Sequence, residues 1–430
     1  MTPQIIQRTY LGLLLLQTLA ASLIWGINTL FLLDAGLSLT GAFVANAAFT
    51  AGMMIFEVPT GVIADARGRR ISFILGAATL LVTTLAYLAL WSLHAHILWW
   101  ILVSALIGLG FTFFSGATEA WLVDALEATG YDGPIETVFG KGQTIGGVAV
   151  LIGTIGGGLL GTISLGIPYA LRSFLLLIVV AAAWQWMHDI GFEPHREGTV
   201  TSQAREILKA SITHGFRNPP VRMFLLAAPF SAGIYIWVFY AFQPYLLDLF
   251  GDPNATYLAG IAAATFAIAQ MVGGASVSLV RRVFRSRTSV MAGAVSLGGL
   301  AIVGVGLASL LEIPIGFWVA VVLLALAALI AALSGPMQQA YMNAVIPSKQ
   351  RATVLSFASL TGSAGGVVFQ PALGRVADVW SLGTGYIVSG ALFLVQLPFV
   401  LRVKAMGLDA DIVSPPSDAL VDVPPDPPAP

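Results

Sequence analysis

Hydrophobic residues occur along this chain in long runs separated by short polar stretches. A helix of about 20 residues crosses a hydrocarbon layer of ~30 Å, because each residue adds ~1.5 Å. Strand-like alternation is not seen, and lipid tolerates no unpaired backbone groups, so the pattern predicts an all-α polytopic membrane protein. Its twelve predicted transmembrane helices are residues 10–33, 40–64, 71–93, 97–125, 142–164, 167–188, 222–247, 255–280, 288–311, 314–345, 353–377 and 383–404.

Positive residues mark one side of this predicted bundle. Of the cations near the span ends, only Arg172 and Arg375 fall on the other side. Cytoplasmic loops carry an excess of Lys and Arg, so the pattern predicts a cell (inner) membrane protein with both termini in the cytoplasm. The cations on the predicted cytoplasmic side are Arg8, Arg67, Arg69, Arg70, Lys141, those within 196–222, those within 281–287, Lys349, Arg351, Arg402 and Lys404.

Composition supports the membrane class and excludes others. Of the 430 residues, 57% are hydrophobic and 10% are charged, whereas soluble chains carry roughly 25% charged residues. A formal net charge of -1 argues against nucleic-acid binding, and the absence of Cys excludes disulfides and thiol chemistry. The first apolar run is too long for a cleavable signal peptide and is retained as a span.

An internal repeat divides the chain into two pseudo-symmetric halves of six helices. Residues 115–116 match 334–335, and residues 146–148 match 365–367, all at one constant spacing. Because the spacing spans six helices, both halves enter the membrane from the same side. The predicted organisation is an N-terminal half at 1–188, a cytoplasmic loop at 189–221, a C-terminal half at 222–406 and a disordered cytoplasmic tail at 407–430.

The central loop contains a further periodic pattern. Leu208, Ile212 and Phe216 recur every four residues among basic residues. This spacing predicts a short helix that lies on the cytoplasmic interface. A solvated linker is the alternative.

The loop between the second and third predicted spans reads GVIADARGRR at 61–70, which is similar to the cytoplasmic signature of the major facilitator superfamily. The segments FEVPT at 56–60 and SGATEAWLVDAL at 115–126 resemble its bacterial DHA3, macrolide-efflux-like branch of drug:H+ antiporters. This resemblance implies a two-half transporter fold. It also implies a cytoplasmic latch that holds the outward-facing state, with Asp65 meeting the start of span eleven.

The signature residues also have a physical interpretation as a latch. The two glycines permit close helix approach and a tight turn. Asp65 can accept hydrogen bonds at a helix N-terminus, and an arginine can pair with Asp124. The alternative is that the arginines only enforce topology. The predicted latch comprises Gly61, Asp65, Gly68, Arg69, Arg70 and Asp124.

Three carboxylates are candidates for proton coupling. Glu57 precedes Asp65 by eight residues and Glu119 precedes Asp124 by five, which predicts that both lie in the inner half of the membrane. A charge there costs ~2.5–3.5 kcal/mol, so each is expected to be paired, protonated or facing a wet cavity. The alternative is structural pairing with the latch arginines. Asp34, near the outer end of span one, is the third candidate, or it marks the interface.

Substrate contacts are expected on helices one, four, seven and ten, because these line the cavity in proteins that the chain resembles. Aromatic and amide side chains on these helices suit an amphipathic organic molecule. The alternative is an interfacial aromatic belt and general packing. The candidates are Trp25, Asn28, Tyr235, Phe239, Gln243, Gln338 and Tyr341.

A glycine repeat on the fifth span predicts close helix packing. Gly153, Gly157 and Gly161 recur every four residues and give a smooth helix face. The repeat is similar to the Gly-rich antiporter motif of the superfamily, without the Pro of that motif. The fourth span also lacks the Arg of the best-known drug antiporters. Both departures favour a metabolite transporter over a drug antiporter.

Enzyme signals are absent from the sequence. No G-x-x-x-x-G-K-[ST] motif occurs, and His94 and His96 have no nearby acids to complete a metal site. We therefore expect no enzyme activity, cofactor or metal. The expected partners are a small-molecule substrate, H+ and the lipid bilayer, with the protein a monomer.

The sequence favours proton-coupled efflux of a lipophilic or amphipathic small molecule by alternating access. A metabolite symporter or facilitator of the same fold is one alternative. A transport-dead receptor or assembly factor is another.

Overall fold

The computed structural model describes residues 1–194 and 211–413. Ten helices within these ranges are long and apolar enough to cross a membrane. The α-helices are α1 (Pro3–Ser22), α2 (Asn28–Asp34), α3 (Leu39–Arg67), α4 (Arg69–Ser92), α5 (Ile97–Thr112), α6 (Ala117–Ala128), α7 (Ile135–Gly161), α8 (Gly166–Trp186), α9 (Pro219–Ala228), α10 (Ile234–Phe250), α11 (Thr256–Ala275), α12 (Val277–Val283), α13 (Arg287–Leu307), α14 (Ile315–Val345), α15 (Arg351–Val379), α16 (Leu382–Leu394) and α17 (Gln396–Ala405).

Several predicted spans are divided into two helices. Span 10–33 corresponds to α1 and α2, with a break at 23–27, and span 97–125 corresponds to α5 and α6, which join near Gly116 at a positive φ of 69°. The pairs α11 with α12 and α16 with α17 divide two more. The segment α1–α2 and helix α15 are not among the ten apolar helices. The predicted count of twelve is therefore not established by helix length and apolarity.

Each half packs around its own helices, and two large helix pairs join the halves beside a smaller contact between α2 and α10. In the first half α3 packs on α5, α4 on α8 and α1 on α7, and in the second half α13 packs on α14 and α16. The first of the joining pairs is α3 with α15, and the second is α7 with α11. These pairs position the groups that lie between the halves.

Both ends of the described chain lie at one face of the bundle, here called the terminal face. Ile6 of α1 shares a buried cluster with Leu126 and Met187. Val403 of α17 shares another with Val354, near the start of α15. Helices α3 and α15 are antiparallel, because the first residues of α3 bind Asp378 at the end of α15. The end of α3 and the start of α15 therefore point to the terminal face, and the other end of the bundle is the opposite face.

The predicted disordered tail, 407–430, begins with a structured segment. A 3-10 helix spans Asp409–Asp411, and the Asp411 carboxylate accepts from Thr288 N at 2.7 Å and from Ser286 Oγ at 2.8 Å. These bonds hold the segment because they satisfy donors at the start of α13. Residues 414–430 lie outside the described ranges, so their disorder stays a prediction.

The predicted interfacial helix of the central loop lies partly outside the described ranges, since Leu208 lies within 195–210. Its last part is a π-helix at Ser211–Phe216. Phe216 packs against Phe357 of α15, with ring centroids 5.9 Å apart. This end of the loop therefore contacts the second half.

Candidate functional site

A cavity of about 500 Å³ lies between the two halves. Its walls come from α3, α5 and α7 and from the α1–α2 break in the first half, and from α10 and α11 in the second. Thr154, Tyr240 and Gln270 add polar groups to a mainly apolar surface. The aromatic and methionine residues of the lining are Trp25, Phe49, Met53, Phe111, Phe239, Phe266 and Met271.

The opposite face is closed by contacts between the halves. The Asp378 carboxylate accepts from Leu39 N at 3.0 Å and from Thr40 N at 2.8 Å, and it also accepts from the Thr40 hydroxyl. An anion at a helix N-terminus satisfies free N–H groups and favours the helix dipole. Asp378 of the second half therefore caps α3 of the first, and no local pattern in the sequence marks this residue.

Small residues allow the second joining pair, α7 and α11, to approach closely. A Cβ added at Gly158 would lie 2.8 Å from Gly260 Cα. Next to this contact, Thr256 Oγ1 donates to Gly158 O at 2.9 Å. The backbones can touch because neither position carries a side chain.

Gln243 also joins the halves and is not a free cavity residue. Its Oε1 accepts from Thr29 N at 2.7 Å, and its Nε2 donates to Trp25 O at 2.8 Å. Trp25 lies in the α1–α2 break and Thr29 lies at the start of α2. The backbone groups there lack helical partners. The side chain is fully buried, and both ends of its amide are used.

The predicted latch residues meet at the terminal face, within the first half. Arg69 Nη1 lies 2.5 Å from Asp65 Oδ1, and Arg69 Nε lies 3.9 Å from Asp124 Oδ2. Gly68 has a φ of 104°, which favours glycine. Arg70 Nη2 donates to Trp184 O at 2.6 Å.

Asp189, the first residue of the predicted central loop, completes this group. Its Oδ1 accepts from Arg70 N at 2.8 Å, so Asp189 caps the start of α4. A Cβ at Gly68 would clash with the same carboxylate. Trp121 Nε1 donates to His188 O at 2.7 Å and positions the segment.

Two expectations for the latch are not met in this conformation. A Cβ at Gly61 would have no atom within 4 Å, so Gly61 does not serve close packing here. Asp65 binds Arg69 rather than a helix N-terminus. Arg351 Nε, at the start of α15, is buried without a hydrogen-bond partner among the described residues. The latch and α15 are not brought together because the joining contacts lie at the opposite face.

The three candidate carboxylates lie in different surroundings. Glu57 is half-buried, and its Oε1 accepts from Ser115 Oγ at 2.7 Å. Glu119 is exposed, close enough to Tyr10 to interact with it electrostatically. Asp34 accepts from Trp91 Nε1 at 2.7 Å and lines a cavity of about 780 Å³ at the opposite face. Within the described residues, no group of three His, Cys, Asp or Glu could hold a metal.

The predicted substrate residues separate into cavity and core positions. Trp25 and Phe239 line the central cavity, and Asn28 lines a small pocket beside it. Tyr235 and Gln338 line another cavity of about 230 Å³, within the second half. Tyr341 is fully buried against Phe224, with ring centroids 5.5 Å apart.

The glycine repeat of α7 faces two neighbours. A Cβ at Gly153 would clash with Ser22, and one at Gly157 would clash with the Leu23 carbonyl. A Cβ at Gly161 would lie 3.0 Å from Thr256 Oγ1. The repeat therefore contacts the α1–α2 segment and the start of α11.

Sequence and structure comparisons identify the family of this fold. Residues 10–370 match the family model described as Major Facilitator Superfamily. The chain belongs to the major facilitator superfamily. A search of curated proteins found no match. Membership of this family indicates a multi-pass membrane transporter.

Solved structures of other transporters share the fold of this superfamily member. The nucleoside transporter NupG is 13% identical with a TM-score of 0.73, and the match covers 94% of this chain and 99% of NupG. The POT family transporter PepTSo is 13% identical, TM-score 0.69, covering 94% and 98%. A D-xylose-proton symporter is 15% identical, TM-score 0.66, covering 93% and 97%. At these identities the likeness extends to the fold alone.

Proposed function

We propose that this protein exports an amphipathic or lipophilic small molecule by alternating access, driven by proton entry, as in the DHA3-like branch. The observation that carries the proposal is the cavity of about 500 Å³ between two halves that are joined at the opposite face. Rocking of the halves would open that face and close the other. The aromatic and methionine walls favour an apolar substrate body.

The proposal includes twelve membrane crossings. Segments α1–α2 and α15 cross beside the ten apolar helices, and the terminal face is cytoplasmic, as the positive residues favour. Helix α15 carries polar groups such as Gln370, whose Nε2 donates to Thr50 of the first half. A helix that contacts another helix through polar groups exposes less of its surface to lipid, so it can cross the membrane with fewer apolar residues. One chain supplies both walls of the cavity, which supports a monomer.

Glu57 is the favoured coupling residue. It lies one helical turn beyond Met53, which lines the cavity, on the side of the terminal face. Its hydrogen bond to Ser115 links α3 to the α5–α6 junction. Protonation would add an O–H donor to the carboxyl group and change this contact. Glu119 is exposed and is the second candidate.

The test uses purified protein in liposomes with an imposed pH gradient and lipophilic dyes of both charge signs, beginning with ethidium. We expect gradient-dependent movement that falls to the gradient-free rate in Glu57→Gln. Glu119→Gln reports the second candidate, and Glu127→Gln, an exposed acid on the same helix α6, is the control. Movement that is independent of the gradient in every variant contradicts proton coupling.

A metabolite symporter or facilitator of the same fold is the second candidate function. The polar groups of Thr154 and Gln270 on the cavity wall favour it, because they can bind hydroxyl or amide groups of a polar substrate. Uptake of radiolabelled sugars, nucleosides or dipeptides by the same liposomes tests it. Movement of these solutes without movement of any dye would replace the export proposal.

A further inference from the structure

Arg172 is a cation buried inside the first half. Its residue is 1% exposed and lies on α8, within a membrane-crossing helix. Nε donates to Thr84 Oγ1 at 3.1 Å, and Nη1 donates to Ala20 O at 3.4 Å. The guanidinium also lies 5.9 Å from the ring centroid of Phe111. Within the described ranges, Arg172 has no carboxylate partner.

These neutral contacts leave the charge of Arg172 uncompensated. Arginine stays protonated in proteins, so burial cannot neutralise it as it can a lysine. Charged residues inside membrane helices pair with each other, bind backbone carbonyls or face polar cavities, and they mark solute pathways. Arg172 binds one backbone carbonyl, that of Ala20, and no described protein group supplies an anion for it.

A small pocket of about 50 Å³ lies beside Arg172, next to the central cavity. Trp25, Phe49, Phe111 and Tyr240 line both this pocket and the central cavity, so the two spaces adjoin at these side chains. No Asp or Glu lines either space among the described residues. The pocket is too small for the body of an organic molecule and has room for a small polar group.

Asn46 supplies an independent sign of a ligand in this pocket. It is 3% exposed and lines the pocket, and its Nδ2 has no hydrogen-bond partner among the described residues. A chain of hydrogen bonds orients the amide: Tyr169 Oη donates to Asn28 Oδ1 at 2.9 Å, and Asn28 Nδ2 donates to Asn46 Oδ1 at 2.9 Å. The free end of the amide is then a donor, beside the donors of Arg172.

We propose that Arg172 and Asn46 bind the carboxylate of an aromatic or lipophilic organic acid, whose apolar body occupies the central cavity. This inference rests on the proposed function, since it names the substrate class of the same cavity. An anion accepts from both donors and compensates the buried charge. An ammonium group would place a second cation beside Arg172.

The test measures binding to full-length protein in detergent, without a gradient, by isothermal titration calorimetry. The probes are 2-naphthylacetate, the neutral 2-naphthylacetamide and the cationic 2-(2-naphthyl)ethylammonium. We expect the carboxylate to bind at least ~10-fold more tightly than the amide, because hydrogen bonds to charged groups are the stronger class. The ammonium probe should bind most weakly.

Variants assign this preference to the pocket. In Arg172→Gln the carboxylate and the amide should bind within ~2-fold of each other, and Arg172→Lys should retain part of the preference. Arg375 is an exposed arginine on α15, near the end of that helix that lies at the opposite face. Arg375→Gln is therefore the matched control and should bind the probes as the wild type does. Should Arg172→Gln not fold, Asn46→Ala provides the second test, with the preference expected to fall ~3-fold or more.

Equal binding of carboxylate and amide by the wild type, or a preference unchanged in folded Arg172→Gln, would overturn the inference. The outcome is separable from that of the export proposal. Carboxylate binding that depends on Arg172, without gradient-driven movement, upholds the site and removes proton-driven export. Gradient-driven movement of ethidium together with no carboxylate preference upholds proton-driven export and removes the carboxylate site.

Discussion

The two faces of the bundle are held together in different ways. At the opposite face, one buried cluster combines Phe31 and Tyr87 of the first half with Leu247 of the second, and Asp378 caps α3 across the halves. At the terminal face, the two buried clusters each contain described residues of a single half. The charged latch there also lies entirely in the first half.

This difference shows which contacts have to break during a transport cycle. Opening of the opposite face requires the loss of contacts between halves, whereas the latch around Arg69 can persist as one unit. Arg351 Nε, which is buried and has no hydrogen-bond partner in the part of the chain that the structure describes, lies on the second half at the terminal face. We expect it to gain a partner when the terminal ends approach each other, as the resemblance implies for Asp65.

The largest effect is expected where the halves touch through glycine. Gly158→Val places a branched side chain 2.8 Å or less from Gly260 and should destabilise the closed opposite face by about 3 kcal/mol, the upper end of overpacking costs. The chain has no Cys, so Ala267→Cys on the cavity wall reports access to an impermeant maleimide. We expect labelling from the opposite face to rise at least ~10-fold.

Gly156→Val is the matched control for this prediction. Gly156 lies on the same helix as Gly158, and a Cβ added there would have no atom within 4 Å. It should label as the parent does. Equal labelling of both variants would show that α7 and α11 do not close the opposite face.

A smaller shift is expected from the cap across the halves. Asp378→Asn removes the charge that binds the N-terminus of α3, and charged hydrogen bonds contribute about 2 kcal/mol. Labelling of Ala267→Cys from the opposite face should rise by roughly 5- to 30-fold. Asp65→Asn also removes one carboxylate charge, but within the first half, and should not raise this labelling. An equal rise in both variants would contradict the contrast between the faces.

The smallest effect concerns the turn of the latch. Gly68→Ala forces an L-residue to a φ of 104° against Asp189 and should lower stability by about 1–2 kcal/mol, seen as a lower Tm in detergent. Gly61→Ala in the interior of α3 should raise stability by about 0.5–1 kcal/mol. A Tm that falls equally in both variants would mean that the strained turn has no special role.

Much of the fold could be predicted from local patterns. Apolar runs predict helices because the backbone groups of each run must form hydrogen bonds with one another in lipid. Ten such helices are present in the described ranges. The pair Asp65 and Arg69 is also local, since residues four apart on a helical path are neighbours. The breaks within spans were harder to predict, because apolar residues continue through them.

The contacts between residues that are distant in the sequence could not be predicted, because they depend on which helices pack together and on which face each helix turns toward its neighbour. Asp378 and Asp189 act through partners on other helices, and neither has a local sequence signal. Arg172 lies near the start of a predicted span, and its side chain is buried because that face of α8 turns toward Thr84. Apolar patterning specifies where each helix runs, because lipid contacts every helix in the same way. It leaves the partner of each polar group to the packing of particular side chains.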